Sequence, residues 1–77
     1  MGDLDRIRWR CRRGLLELDI VLGRFVDQHL AGLDPGEREG FKALLELSDN
    51  DLWDLVAGRT EPEAGLQEHL IRRLRRV

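Results

Sequence analysis

Apolar residues recur every three or four positions along most of this 77-residue chain, which is the spacing of amphipathic α-helices. The pattern is clearest in its second segment, where one helical face would carry Leu15, Leu18, Leu22, Phe25, Val26 and His29. Similar spacing returns around residues 41–45, 52–56 and 66–77. The pattern therefore predicts several short helices, each with one face directed into a shared core.

Capping signals divide the chain into five predicted helices. Asp34 and Ser48, each followed by an acidic first turn, are typical of helix N-caps, and Thr60 with its following acidic residues predicts a third. Gly32 and Gly58 stand where the preceding helices should stop. The predicted helices cover roughly residues 3–12, 15–31, 35–47, 49–57 and 61–76. Because the connections are short, we expect a compact all-α five-helix bundle with antiparallel neighbouring helices.

Residues 6–12 depart from this pattern, because arginine alternates there with other residues as in a strand. A single strand would have no partner in this chain, so helix remains the prediction. One face of that helix would collect Leu4, Ile7 and Cys11. Trp9 would lie on the opposite side, near Arg6. Two interpretations of Trp9 stay open, an exposed anchor for a partner protein or a side chain covered by a neighbouring helix.

Length, composition and charge limit the classes of function. A chain of 77 residues with 36% charged and 42% hydrophobic residues fits one globular domain over residues 1–77. Its formal net charge of −2 argues against a general nucleic-acid binder. The single cysteine, Cys11, excludes an internal disulfide and fits a reducing compartment. Since the sequence shows neither a signal peptide nor a membrane-spanning run, we expect a cytoplasmic protein.

No arrangement of residues predicts catalysis or metal binding. His29 is expected near the core and His69 in solvent, and neither belongs to a metal-binding motif. Ser48 is the only serine, so the sequence supports no Ser-His-Asp triad. The arginines in residues 72–76 are expected to stabilise a helix C-terminus, with a nucleic-acid contact as the less favoured alternative. We therefore expect a non-enzymatic protein without a metal.

A short group of residues at the junction of the first two predicted helices is the best candidate for a binding site. On a continuous helix, Arg13, Gly14 and Glu17 would face one way, with the two charged side chains paired. Gly14 would either permit close approach of a partner backbone or mark a helix junction. With the apolar flanks Leu16 and Ile20, the group would form a docking patch. The alternative is that the negative charge of Glu17 only stabilises the positive N-terminal end of the second helix.

The segment from Arg6 to Ile20 resembles the signature of the SdhE family, the FAD assembly factors of succinate dehydrogenase. The family pattern Arg-x-x-Trp-x-x-x-Arg-Gly-x-x-Glu-Leu-Asp is matched by Arg6, Trp9, Arg13, Gly14, Glu17, Leu18 and Asp19. A second family block, a Phe-rich helix followed by an acidic turn, is similar to Phe41, Leu44, Leu45 and residues 49–52. The resemblance covers essentially the whole chain, although the fifth helix matches in pattern only.

The resemblance implies a five-helix assembly factor that has no catalytic residues of its own. Family members bind the flavoprotein subunit of succinate dehydrogenase, or in some bacteria of fumarate reductase, and promote covalent attachment of FAD to one of its histidines. The implied partner-binding residues are Arg13, Gly14, Glu17, Trp9, Arg6 and Asp19. FAD would belong to the client, and this chain would act as a monomer without membrane or nucleic acid. The alternative from another class is a small nucleic-acid-binding or regulatory protein using its arginine-rich first helix.

Overall fold

The computed structural model describes residues 2–77, and all regular structure in that range is helical. The elements are α1 (Asp3–Arg10), α2 (Leu16–His29), a 3₁₀ turn (Leu30–Gly32), α3 (Pro35–Leu45), α4 (Asp49–Val56) and α5 (Leu66–Leu74). The prediction of an all-α five-helix bundle is confirmed. The alternating arginine segment is also helical as far as Arg10, so its strand-like pattern reflects alternating charge and not strand structure.

Two helices begin where the capping pattern predicts. Asp34 Oδ1 accepts a hydrogen bond from the Glu37 backbone N–H at 2.7 Å, and Glu37 Oε1 accepts one from the Asp34 N–H at 3.1 Å. This reciprocal capping box satisfies two amide groups at the start of α3. Ser48 Oγ accepts from the Asp51 N–H at 3.2 Å and starts α4 in the same way.

The predicted start of the last helix is wrong. Residues 57–65 form turns and irregular structure, and α5 begins only at Leu66. Pro62 disfavours a helical conformation at the residue before it. Gly65 then lies in a turn with a φ of 98°, a conformation that favours glycine. The other helix boundaries lie within two residues of their predicted positions.

Most side chains of the core are aliphatic, and they pack together with two phenylalanines. Phe25 and Phe41 are fully buried, with their ring centroids 5.0 Å apart. Of the predicted inner face of the α1 segment, Ile7 and Cys11 are buried in this core, whereas Leu4 is 36% exposed. His29 packs on Phe25 with a centroid distance of 5.3 Å and is half-buried, as expected for a residue at the core edge. Because the α1 segment and α2 both contribute side chains to this core, it sets the surface between them.

Helices α3 and α5 approach each other closely at Gly40. A Cβ atom at Gly40 would lie 2.5 Å from Leu66 Cδ2 and 2.9 Å from Leu70 Cδ1. Leu66 is partly exposed and could turn away, but Leu70 is fully buried in the core. Any side chain at this position would therefore force these leucine side chains, or the two helices, to shift.

We expect Gly40→Ala to lower the free energy of unfolding by about 1–3 kcal/mol through this overpacking. Gly23 in α2 is the matched control, because a Cβ atom there would meet nothing within 4 Å. Gly23→Ala is expected to raise stability by about 0.5–1 kcal/mol, since alanine loses less backbone entropy on folding. Urea unfolding measures both changes, and unchanged stability of Gly40→Ala would refute the close contact.

Candidate functional site

Helix α1 presents an exposed indole to solvent. Trp9 is 71% exposed and lines a shallow depression together with Asp5, Arg8 and Arg12. Of the two interpretations of Trp9, the structure supports exposure, because no neighbouring helix covers it. An exposed tryptophan beside guanidinium groups has the composition of an anchor in protein interfaces.

A groove between α1 and α2 continues this surface. Its lining comprises Arg8, Cys11, Arg12, Asp19, Ile20, Gly23, Val26 and Asp27. Because Arg8 and Arg12 also line the depression at Trp9, the two features are continuous. Ile20 is exposed at the groove, and Leu16, one helical turn earlier on α2, is 73% exposed. We call the exposed set Trp9, Gly14, Leu16, Glu17 and Ile20 the α1–α2 surface.

Gly14 lies in the connection between α1 and α2. Its φ of 87° is in the left-handed region, which favours glycine over residues that carry a side chain. A Cβ atom at Gly14 would meet nothing within 4 Å, so the position faces open space. Gly14 is therefore a helix junction and also a bare, accessible stretch of backbone.

The side chain of Asp19 holds this connection in place. Its Oδ1 accepts a hydrogen bond from the Arg13 backbone N–H at 2.9 Å, and its Oδ2 accepts one from the Gly14 N–H at 3.1 Å. Asp19 is half-buried in α2, one turn into the helix. The structure thus places this predicted site residue behind the junction, where its carboxylate satisfies two successive amides.

The side chain of Arg13 crosses to the turn between α3 and α4. Its Nε donates to Asp49 Oδ1 at 2.5 Å, its Nη1 donates to the Leu45 carbonyl at 2.8 Å, and its Nη2 donates to the Leu47 carbonyl. Only 12% of the side chain is exposed. All three guanidinium nitrogens therefore have an acceptor inside the protein.

The exposed Arg13–Glu17 pair predicted from a continuous helix is wrong. The chain leaves helical conformation between α1 and α2, so the four-residue spacing does not place the two side chains on one face. Glu17 lies exposed in the first turn of α2, and within residues 2–77 it forms no ion pair. Its carboxylate therefore faces solvent close to the positive end of the helix.

The arginines of α1 differ in whether they form ion pairs. Arg8 pairs with Asp27 at 3.0 Å and Arg10 with Glu46 at 2.5 Å, whereas Arg6 is exposed three residues before Trp9. Arg6 thus shares a helical face with Trp9, as the sequence predicts.

The arginines at the end of α5 have structural roles. Arg72 and Arg73 lie in its last turn, where cations oppose the negative end of the helix, as expected from the sequence. Arg73 donates to Glu37 Oε2 at 2.9 Å, and Arg75 donates to the Leu55 carbonyl at 2.8 Å. These contacts join α5 to α3 and to the end of α4, which supports the structural interpretation over a nucleic-acid contact.

Cys11 is buried beneath the groove, and this burial raises the pKa of its thiol to about 11. Relative to the usual value of 9.0, the thiolate population at mildly alkaline pH falls about a hundredfold. We expect a thiol reagent to modify the native protein at least about tenfold more slowly than the urea-unfolded protein, because the higher nucleophilicity of a high-pKa thiolate offsets only part of this loss. Stopped-flow absorbance with an aromatic disulfide measures both rates, and equal rates would refute the burial of Cys11.

Within residues 2–77, no cluster of side chains suits a metal ion, and none of the helices is long and apolar enough to cross a bilayer. The fold and the site together define a small all-helical domain with an exposed, partly apolar surface between α1 and α2.

Comparison with known proteins identifies the family. The family model described as flavinator of succinate dehydrogenase matches residues 5–77. The FAD assembly factor SdhE of Coxiella burnetii is 40% identical over 72 residues, covering 94% of this chain and 88% of the relative. The protein of the same name from Ralstonia nicotianae is 43% identical over 76 residues, covering 94% and 80%. The one from Pseudomonas aeruginosa is 39% identical over 70 residues, covering 91% and 83%. This chain belongs to the flavinator of succinate dehydrogenase family, which confirms the resemblance of residues 6–20.

Proposed function

We propose that this chain is an FAD assembly factor that binds the flavoprotein subunit of succinate dehydrogenase, or of fumarate reductase, and promotes covalent FAD attachment there. Membership in the flavinator family supports the class of function. The structural observation that carries the docking role is the α1–α2 surface, where Trp9 and Leu16 are each more than 70% exposed. An apolar surface of this kind gains free energy when a partner protein removes it from water.

The α1–α2 surface suits a protein partner better than nucleic acid. Two α1 arginines are already paired with carboxylates, Arg8 with Asp27 and Arg10 with Glu46. Phosphates would have to compete with these carboxylates for Arg8 and Arg10, and the acidic partners would repel the phosphate backbone. Together with family membership, this favours the assembly factor over the nucleic-acid alternative.

We assign direct partner contact to Trp9, Gly14 and Glu17, with Arg6 beside them. Trp9 would be the apolar anchor, Gly14 would let a partner backbone approach closely, and Glu17 would supply an exposed charge. FAD and the histidine that receives it belong to the client in this proposal. The chain would act as a cytoplasmic monomer with no catalytic residue or cofactor of its own. It would hold the client in the arrangement in which histidine and flavin react, which is a shift of population.

Trp9→Ala is expected to weaken binding to the purified flavoprotein subunit by about thirtyfold or more, because a buried tryptophan anchor commonly contributes at least ~2 kcal/mol. Calorimetric titration measures the dissociation constant, with Trp9→Phe expected to retain part of the affinity. If Trp9→Ala binds as tightly as the unaltered protein, the α1–α2 surface is not the docking site.

The salt dependence of complex formation separates the two classes of function. Docking through apolar contacts should weaken by less than about tenfold between roughly 50 and 200 mM salt. A contact of several arginines with phosphates would lose about 10³–10⁵ in affinity over the same range. A steep loss of affinity for the flavoprotein would contradict docking through apolar contacts. Salt-sensitive binding to a DNA duplex, as tight as binding to the flavoprotein, would favour the nucleic-acid alternative.

A further inference from the structure

We propose that Arg13 is a positioning residue, which fixes the connection that presents Gly14 and Glu17 without itself touching the partner. The proposal rests on the function proposed above. It adds Asp49 of α4, which lies 36 residues away in the sequence, to the side chains on which partner binding depends.

The first argument is that every nitrogen of the Arg13 guanidinium already donates a hydrogen bond, so three of its five N–H groups are engaged. Its Nε, Nη1 and Nη2 are engaged by the Asp49 carboxylate and by the carbonyls of Leu45 and Leu47. A carboxylate of a partner protein could pair with both edges of this fork only by displacing these acceptors, which would leave the part-buried carbonyls of Leu45 and Leu47 without this donor. A side chain that is 12% exposed also offers little surface for contact.

The second argument is that Arg13 is held in place both through its backbone and through its side chain. Its backbone N–H donates to Asp19 of α2, while its side chain is bound at the turn between α3 and α4. Gly14 follows directly and donates its own N–H to the same carboxylate. The position of Gly14, and the direction in which α2 starts toward Glu17, are therefore set by two anchors on different elements.

The third argument comes from the acceptors themselves. Leu45 is the last residue of α3 and Leu47 lies just beyond it, where backbone carbonyls lack partners within the helix. A cation is stabilised at this negative end of α3. The planar fork of arginine can reach two carbonyls and a carboxylate at once, which the single ammonium of lysine cannot reproduce. The contact therefore fixes the junction with a geometry that is specific to arginine.

A double-mutant cycle tests the proposal with the complete chain and the purified flavoprotein subunit. The variants are Arg13→Ala, Asp49→Ala and the combination, and the readout is the dissociation constant from calorimetric titration. We expect Asp49→Ala alone to weaken binding at least about fivefold, and the combined variant to bind no more weakly than Arg13→Ala. Binding of Asp49→Ala within about twofold of the unaltered protein, or multiplying effects in the combined variant, would overturn the proposal.

Asp51→Ala is the matched control. Asp51 also belongs to the acidic first turn of α4, but its carboxylate does not contact Arg13. The dissociation constant of the Asp51→Ala variant should therefore lie within about twofold of that of the unaltered protein. Asp49→Asn keeps an acceptor for Nε and is expected to restore most of the affinity that Asp49→Ala loses. If Asp51→Ala weakens binding as much as Asp49→Ala, the charge of the helix is responsible and positioning by Arg13 is refuted.

An NMR readout separates this proposal from the proposed function. In ¹H–¹⁵N spectra of the free protein, Asp49→Ala should shift the amide signals of Gly14 and Glu17 and leave that of Phe41 in the core unchanged. Unmoved Gly14 and Glu17 signals would refute positioning whether or not a complex forms. A failure of the unaltered protein to bind the flavoprotein would instead refute the proposed function.

Discussion

Glu17→Ala is expected to reduce covalent FAD on a co-expressed flavoprotein subunit strongly, while thermal unfolding of the variant stays nearly unchanged. Glu17 is exposed and has no ion-pair partner within residues 2–77, so it contributes little to folding. At a partly desolvated interface, truncation of one charged partner commonly weakens binding by about 2–5 kcal/mol, which is ~30-fold to several thousandfold. In-gel fluorescence of the denatured flavoprotein measures the covalent flavin.

Arg72→Ala is the control for a general effect of surface charge. Arg72 is exposed on α5, is not part of the α1–α2 surface, and pairs with Glu68 at 2.8 Å. Such an exposed pair contributes only about 0–1 kcal/mol to folding. If Arg72→Ala lowers flavinylation as much as Glu17→Ala does, overall charge controls the activity and Glu17 is not a specific contact.

Gly14→Arg is expected to abolish partner binding while the protein stays folded. A Cβ atom at Gly14 points into open space, so the arginine side chain would project outward and hold the partner's backbone away. The φ of 87° adds a backbone strain of about 1–2 kcal/mol to any residue with a side chain. Gly14→Ala carries the same strain with only a methyl group and is therefore the matched control.

The comparison of these two variants separates strain from obstruction. Urea unfolding should show a similar loss of stability for Gly14→Ala and Gly14→Arg, because both replace glycine in the left-handed region. Pull-down with the flavoprotein subunit should show binding for Gly14→Ala and none for Gly14→Arg. Equal loss of binding in both would show that the conformation of the junction matters and that the bare surface of Gly14 does not.

Local chemistry explains why most helix boundaries could be predicted from the sequence. At Asp34 and Ser48, the capping side chain and the amide that it binds lie three residues apart, so the signal is contained in the sequence. Thr60 carries the same kind of signal but is overruled by Pro62 and by the turn at Gly65. A capping pattern indicates a helix start only when the residues after it can continue the helix.

The motif of the site could be found in the sequence, but the orientation of its side chains could not. The helical wheel placed Arg13 beside Glu17 because it assumes one continuous helix, and the positive φ at Gly14 breaks that assumption. The contact of Arg13 with Asp49 joins residues 36 positions apart in the sequence, and no periodic pattern predicts a contact over such a separation. The exposure of Trp9 cannot be predicted from the sequence either, because it depends on which helices pack beside α1.

Reconstitution of flavinylation from purified components tests the proposed function most directly. The flavoprotein subunit, prepared without covalent flavin, is incubated with FAD in the presence or absence of this protein. Covalent flavin is then read by in-gel fluorescence after denaturation. We predict that the unaltered protein raises the yield of covalent flavin severalfold, and that Glu17→Ala and Gly14→Arg do not. Equal yields with and without the protein would contradict its function as an FAD assembly factor.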